Sequence, residues 1–484
     1  MTGLADIILS NARIITMDAR NSIAQAIAIG DGKILAIGAD GATAPHVGPQ
    51  TRRFDMKGRA IVPGLIDSHA HMDRHGLRTV FPMLGPVRSI KDIQDRIREL
   101  ARGKKAGEWI VTMPIGDPPF YLGVPGNLVE GRWPTRQELD AAAPDNPVYI
   151  RSIWGYWRGT LPIASCANTA ALKRAGITRD TVSPLPSVQI EQDSNGDPTG
   201  VFAEYDFAPF AEMIWFREAA SFSDEDRLRT LPISARAYHS FGTTSIFEGH
   251  GVASEVLRAY RRAHRGGALT MRATLCLSPD WIALGDAPLG PFVDAWLGML
   301  AETGLGDDML KMGGLYVQVG RTEEDAVRVR AGGAYTGWAG FTPGHSLPRD
   351  KLKDLLLHCA RNDIRSTCIT GHTWMEMLDI YEEVDREIPL KGRRWVVSHI
   401  NVLSQRDIER IVKMGLVLTT QTNSYLYKRL DKTAADLPPE RHVDIVPLKS
   451  LREAGVTVAL ATDNTPISLW HPVPSRGWLE MRVA

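Results

Sequence analysis

Along the second half of the chain, short apolar runs alternate with stretches of helical character. The runs are 243–247, 271–277, 315–319, 364–369, 395–398, 416–419 and 456–461. Amphipathic segments such as 404–414 and 447–454 lie between them. With 61–66 ahead of them, they make eight candidate strands. Strands that alternate with helices predict a parallel sheet, and eight such units predict an α/β fold of the closed (β/α)8 (TIM) barrel type. A chain of 484 residues accommodates one such barrel and a small companion domain.

The companion precedes the barrel. Residues 7–9, 12–17, 24–29 and 33–37 are rich in β-branched and apolar side chains, and Asp31-Gly32 between the last two is a two-residue hairpin signal. The expected domains are a small β-sandwich over 1–58 and the barrel over 59–484. Residues 73–235 are too long for a single connection and include Gly116-Asp117-Pro118-Pro119 and Gly123-Val124-Pro125-Gly126, so they are expected to contain an inserted subdomain or lid.

Composition excludes several classes of function. Lys plus Arg and Asp plus Glu both total 56, which leaves no bulk positive potential for nucleic acid or anionic lipid. No run approaches the roughly 18 apolar residues of a membrane span. The first residues meet Asp6 before any apolar core forms, unlike a secretory signal. Cys166, Cys276, Cys359 and Cys368 are too few and too scattered for a disulfide framework. The expectation is a cytoplasmic protein acting on a small molecule. The chain also lacks a Gly-x-Ser-x-Gly elbow, a phosphate loop, a His-Glu-x-x-His helix and a dinucleotide fingerprint.

The sharpest chemical feature is His69-Ala70-His71, directly after the first candidate strand. Residues i and i+2 of a strand share a side, so two imidazoles can converge on one cation. With 13 His in the chain, such a pair arises somewhere by composition roughly one time in three. Its place at the C-terminal end of a barrel strand, where catalytic groups sit, carries the signal.

Ile61-Val62-Pro63-Gly64-Leu65-Ile66-Asp67-Ser68-His69-Ala70-His71 resembles the first-strand signature of the metal-dependent amidohydrolase superfamily. Gly196-Asp197-Pro198-Thr199-Gly200-Val201, Phe241-Gly242-Thr243-Thr244-Ser245 and Ala461-Thr462-Asp463-Asn464-Thr465-Pro466 are similar to motifs of its YtcJ-like branch, to which the N-substituted formamide deformylases belong. The resemblance implies hydrolysis of a non-peptide C–N bond. It implies His69, His71 and His399 as metal ligands, with Asp463 touching the metal or its water and shuttling the proton. A helix N-cap is the ordinary alternative for Asp463.

Three departures shape the expected site. At the strand-five position, Cys368-Ile369-Thr370-Gly371-His372 leaves His372 as the favoured ligand and catalytic residue and Cys368 as the alternative. At the strand-four position Tyr316 stands where many members carry a carboxylated lysine, and Lys311 is out of register. One divalent ion is therefore expected, zinc by preference, with two as the alternative. Tyr156 stands where a histidine is usual, beside Trp154 and Trp157. Trp154, Tyr156, His250, Tyr316 and Trp374 are the candidate substrate contacts, pointing to an apolar or aromatic molecule. Glu204 is a further candidate ligand. The chain ends soon after the Asp463 motif, so the N-terminal sheet is expected to lack partner strands, and a homo-oligomer would cover its edge. The competing readings are deamination, ester hydrolysis or decarboxylation in the same barrel, or a degenerate binding protein.

Overall fold

The computed structural model describes residues 3–117, 120–153, 160–206, 208–295, 297–320, 337–338, 340–342, 344–369, 373–422, 425–426 and 429–463. Its contacts divide the chain into Met1–Leu65 and Ile66–Ala484.

The first unit holds two small sheets. One orders Lys33–Gly38, Ala26–Gly30, Ile7–Ser10 and Arg52–Asp55; the other orders Ile23–Ala24, Arg13–Ile15 and Ala60–Ile61. Ile14 and Ala24 from one sheet pack with Ile27, Leu9 and Ile29 from the other. The hairpin expected at Asp31-Gly32 forms: Gly30 pairs with Lys33, and the two turn residues take φ values of 49° and 68°. Positive φ at both central positions is the geometry whose twist matches that of the flanking strands.

The second unit is the barrel. Leu65–Asp67, Thr243–Val252, Arg272–Leu277, Leu310–Tyr316, Ser366–Ile369, Val396–Ser398, Val417–Thr420 and Val458–Leu460 neighbour one another in chain order. Every registered pair among them is parallel. Between the first and last strands, the Ser68 N–H and hydroxyl both reach the Leu460 carbonyl, at 3.3 and 2.7 Å. The strands match the apolar runs of the sequence with two corrections. Ala60–Ile61 pairs with Arg13–Ile14 in the N-terminal sheet, and the barrel strand begins only at Leu65. Pro63 between them has no N–H to give a ladder. The fourth strand starts five residues earlier than the apolar run, and Gln318–Val319 pairs separately with Ser346–Leu347.

Helices pack outside the strands. Ser404 caps Gln405–Met414 through a capping box with Asp407, and Gly415 ends that helix at φ 65°. Its buried face, Ile408, Ile411 and Met414, joins Leu355, Leu378, Trp395 and Val397 in the largest core. Between the first two barrel strands lies a five-stranded sheet, ordered Val188–Gln192, Pro198–Glu204, Ile163–Ala167, Val148–Ile150 and Ile110–Thr112. No described helix is long and apolar enough to cross a membrane.

Candidate metal centre

Each candidate ligand sits just past the C-terminal end of a barrel strand. His69 and His71 follow Leu65–Asp67, His399 follows Val396–Ser398, and Asp463 follows Val458–Leu460. His399 and Asp463 take φ values of 65° and 50°. A non-glycine residue in this left-handed region leaves the strand abruptly, and His and Asp tolerate it better than most. The turn aims both side chains across the mouth.

There they meet. His69 Nε2 lies 3.1 Å from His399 Nε2. Asp463 Oδ1 lies 3.0 Å from His71 Nε2 and 3.8 Å from Nε2 of both His69 and His399. His69 and His71 are buried, while the Asp463 side chain is 25% exposed and faces the mouth. Two overlapping donor groups, His69–His399–Asp463 and His69–His71–His250, have ligand atoms within 4.8 Å of one another.

The electrostatics favour lone pairs directed at a cation. Burial pushes His69 well below the ordinary imidazole range, and the neighbouring His399 and His71 push the same way. Burial takes His399 down to about 4 against the attraction of Asp463. Both rings are neutral donors at pH 7. Burial and Arg74 oppose charge on His71, but hydrogen bonds to Asp463 and Glu248 outweigh them and raise it. Burial also opposes charge on Asp463; His399 and the hydrogen bond from His71 overcome it and hold the carboxyl well below its usual range. The proton between His71 and Asp463 thus sits where a cation would satisfy the same donors. Neutral imidazoles with one carboxylate are the donor set a divalent metal takes in a hydrolytic site.

Asp67 buttresses the centre. Its buried carboxylate accepts from the backbone N–H of His69 and Thr462, at 3.2 and 3.0 Å, and from the Thr462 hydroxyl. Burial raises it to about 6 despite the Thr462 hydrogen bonds. It ties the loop of the first strand to that of the eighth.

The remaining candidates separate. His250 is stacked on Phe341 with ring centroids 3.8 Å apart, and lies 6.0 and 6.4 Å from the rings of His71 and His69. Its Nε2 is buried without a hydrogen-bond partner among the described residues. Tyr316 ends the fourth strand 4.6 Å from His250 and donates its hydroxyl to Gln318 Oε1 at 2.9 Å. Cys368 is corrected as a ligand. Thr367 beside it meets Cys276, two strands away, inside the barrel. Alternation therefore turns Cys368 outward, against Tyr381 of the helix Trp374–Glu387. Burial pushes its thiol up to about 12. Glu204 is likewise corrected: it lies in the five-stranded sheet, accepts from the Ala211 N–H at 3.0 Å, and is raised well above its usual range by burial. Trp374 packs with Met377 and Leu378 in the main core. Trp154, Tyr156, Trp157 and His372 lie outside the described residues.

Sequence reasoning passed over Glu248, whose Oε2 lies 3.6 Å from His71 Nδ1. The signal was present: Glu248 and His250 stand two apart on a strand, the spacing that singled out His69 and His71. His345, 5.5 Å from His250 and 5.0 Å from Tyr316, was also passed over; it lies more than 20 residues past the fourth strand, with no local pattern to mark it.

Fold and site together define a (β/α)8 barrel with a histidine-rich cluster at its mouth that could hold a metal ion. Residues 52–484 match the Amidohydrolase family (Amidohydro_3), and the chain belongs to it. It is a YtcJ-like member of that family, and it spans about half the length of several of the curated relatives it matches. It is 24% identical over 426 residues to the putative amidohydrolase YtcJ of Bacillus subtilis, covering 84% of this chain and 71% of that one. It is 29% identical over 276 residues to the N-substituted formamide deformylase of Arthrobacter pascens, covering 56% of this chain and 47% of the relative's length. A crystal structure of a metal-dependent hydrolase from Pyrococcus furiosus superposes with TM-score 0.66 at 18% identity, covering 98% of this chain and 87% of that one, which shows the shared fold.

Proposed function

We propose that this hydrolase cleaves a non-peptide C–N bond, such as an amide or formamide, in a small apolar or aromatic molecule. The observation that carries the reading is the convergence of His69, His71, His399 and Asp463 on one point at the barrel mouth. These four residues would hold a single divalent ion, zinc by preference, with His372 of the fifth-strand loop as a further donor. When bound, such an ion polarises a carbonyl oxygen and brings the pKa of water toward about 7.

The chain's own groups do the rest. Asp463, ionised and open to the mouth, takes the proton of the attacking water at a carboxylate oxygen. The same carboxyl then gives that proton to the leaving nitrogen. His250 Nε2, buried beside the centre and unpartnered among the described residues, is available to the substrate carbonyl. Tyr316 and Phe341 flank it and favour a flat or apolar group. The formamide deformylase relative supports the C–N class of bond.

Purified metal-replete protein tests this against a panel of N-substituted formamides and N-acyl amines. Asp463→Asn, assayed with enough metal to fill the site, is expected to lower kcat by about 10²- to 10⁴-fold. Retention of most activity at equal metal content would remove Asp463 from proton transfer.

A further inference from the structure

We propose that Glu248, on the second barrel strand, is the positioning residue for His71, holding the ring so that its Nε2 lone pair faces the shared centre. The inference rests on the metal-centre reading above and names the group that aims one of its donors.

Glu248 is 1% exposed, and both of its carboxylate oxygens are engaged. Oε2 lies 3.6 Å from His71 Nδ1, while the opposite ring nitrogen, Nε2, lies 3.0 Å from Asp463. Oε2 is the acceptor that faces Nδ1, so Nδ1 is the ring nitrogen placed to carry a hydrogen toward it. With a cation in place of the proton between His71 and Asp463, the opposite nitrogen is the lone-pair donor, and that nitrogen faces the mouth. The second oxygen, Oε1, is clamped by two donors: the Met72 backbone N–H at 2.9 Å and the Tyr260 hydroxyl at 2.6 Å. Met72 opens the short helix after the histidine pair, and Tyr260 comes from the helix Ser254–Arg265. Two helices therefore fix the carboxylate, and the carboxylate faces the ring.

The next residue acts on the other imidazole. A Cβ at Gly249 would lie 2.7 Å from His69 Nδ1 and 3.1 Å from the Phe247 ring. Adjacent residues of one strand thus set both imidazoles of the pair, one by a facing carboxylate oxygen and one by leaving room. Carboxylates behind metal-bound histidines serve this purpose generally, fixing tautomer and orientation.

Glu248→Gln tests the assignment. With its amide oxygen toward Met72 and Tyr260, the variant presents an NH2 group to His71 Nδ1 and selects the opposite tautomer. The expected result is a zinc affinity, measured by chelator competition, about 10- to 100-fold weaker than wild type. The visible absorption of the Co2+-loaded protein should also change, since that spectrum reports the ligand geometry. Tyr260→Phe, which frees one side of Oε1, should move both readouts the same way by less. Unchanged affinity and spectrum in Glu248→Gln would overturn the proposal, as would weaker binding with an unaltered spectrum, the mark of lost packing alone. Should Glu248→Gln not fold, unchanged readouts in Tyr260→Phe would overturn it. Wild-type protein that binds neither Zn2+ nor Co2+ would overturn the metal-centre reading as well; metal-binding wild type with indistinguishable variants would overturn this inference alone.

Discussion

His399 shows how burial prepares a donor. Its imidazole titrates near 4 because the charged form is desolvated, whereas an unfolded histidine titrates near 6.5. Between those values the unfolded chain binds more protons than the folded one, so the contribution of His399 is complete above about 6.5 and is lost as pH falls toward 4. Denaturant unfolding of metal-free protein at pH 7 and pH 4 checks this. Wild type should lose up to about 3 kcal/mol more than His399→Gln over that interval, because the buried carboxyl groups that shift the opposite way are common to both. Equal losses would mean that the ring is solvated. At this scale the sequence was legible where one residue type in one place has one use. His69, His71, His399 and Asp463 lie together at the strand ends, where the proposed ligand role needs them. Glu248 and Asp67 were harder to see, because a carboxylate behind a ligand follows no fixed spacing from it, and its partners Tyr260 and Thr462 become visible only in three dimensions.

The elements that carry these residues explain why so much of the barrel could be read and where the reading slipped. Buried parallel strands are apolar runs, so most of them lay close to expectation, and the expected amphipathic segment 404–414 is the helix Gln405–Met414 behind its Ser404 cap. The run 61–66 misled because it is continuous in hydropathy while Pro63 divides it between two sheets. Cys368 misled because sequence position does not say which side of a strand faces inward; Thr367 takes the inner side. The helix Met72–Leu77, which follows the histidine pair, is held by a close approach. Gly76 N–H donates to Ser234 Oγ at 2.8 Å, and a Cβ on Gly76 would lie 2.1 Å from the Thr230 carbonyl oxygen. Gly76→Ala must push the helix Asp224–His239 away. It is expected to cost about 1–3 kcal/mol in thermal or denaturant unfolding and to weaken metal binding. A variant as stable as wild type would mean that the two helices separate without strain.

Across the molecule, residues almost 400 positions apart share the centre, with Asp67 accepting from Thr462 and His71 meeting Asp463. A cation held there joins the first and last strands, so binding it stabilises the closed barrel against the unfolded chain. Stripping the metal with a chelator should lower Tm, and restoring it should raise Tm again; at 1,000 times the Kd the gain is about 4 kcal/mol. An unchanged Tm would place the ion outside the seam. The most direct measurement is a zinc-edge anomalous difference map from crystals of the zinc-loaded protein. The account predicts one strong peak about 2.0–2.2 Å from a ring nitrogen of His69, His71 and His399 and from an oxygen of Asp463. A peak elsewhere, or none among these four residues, would contradict it.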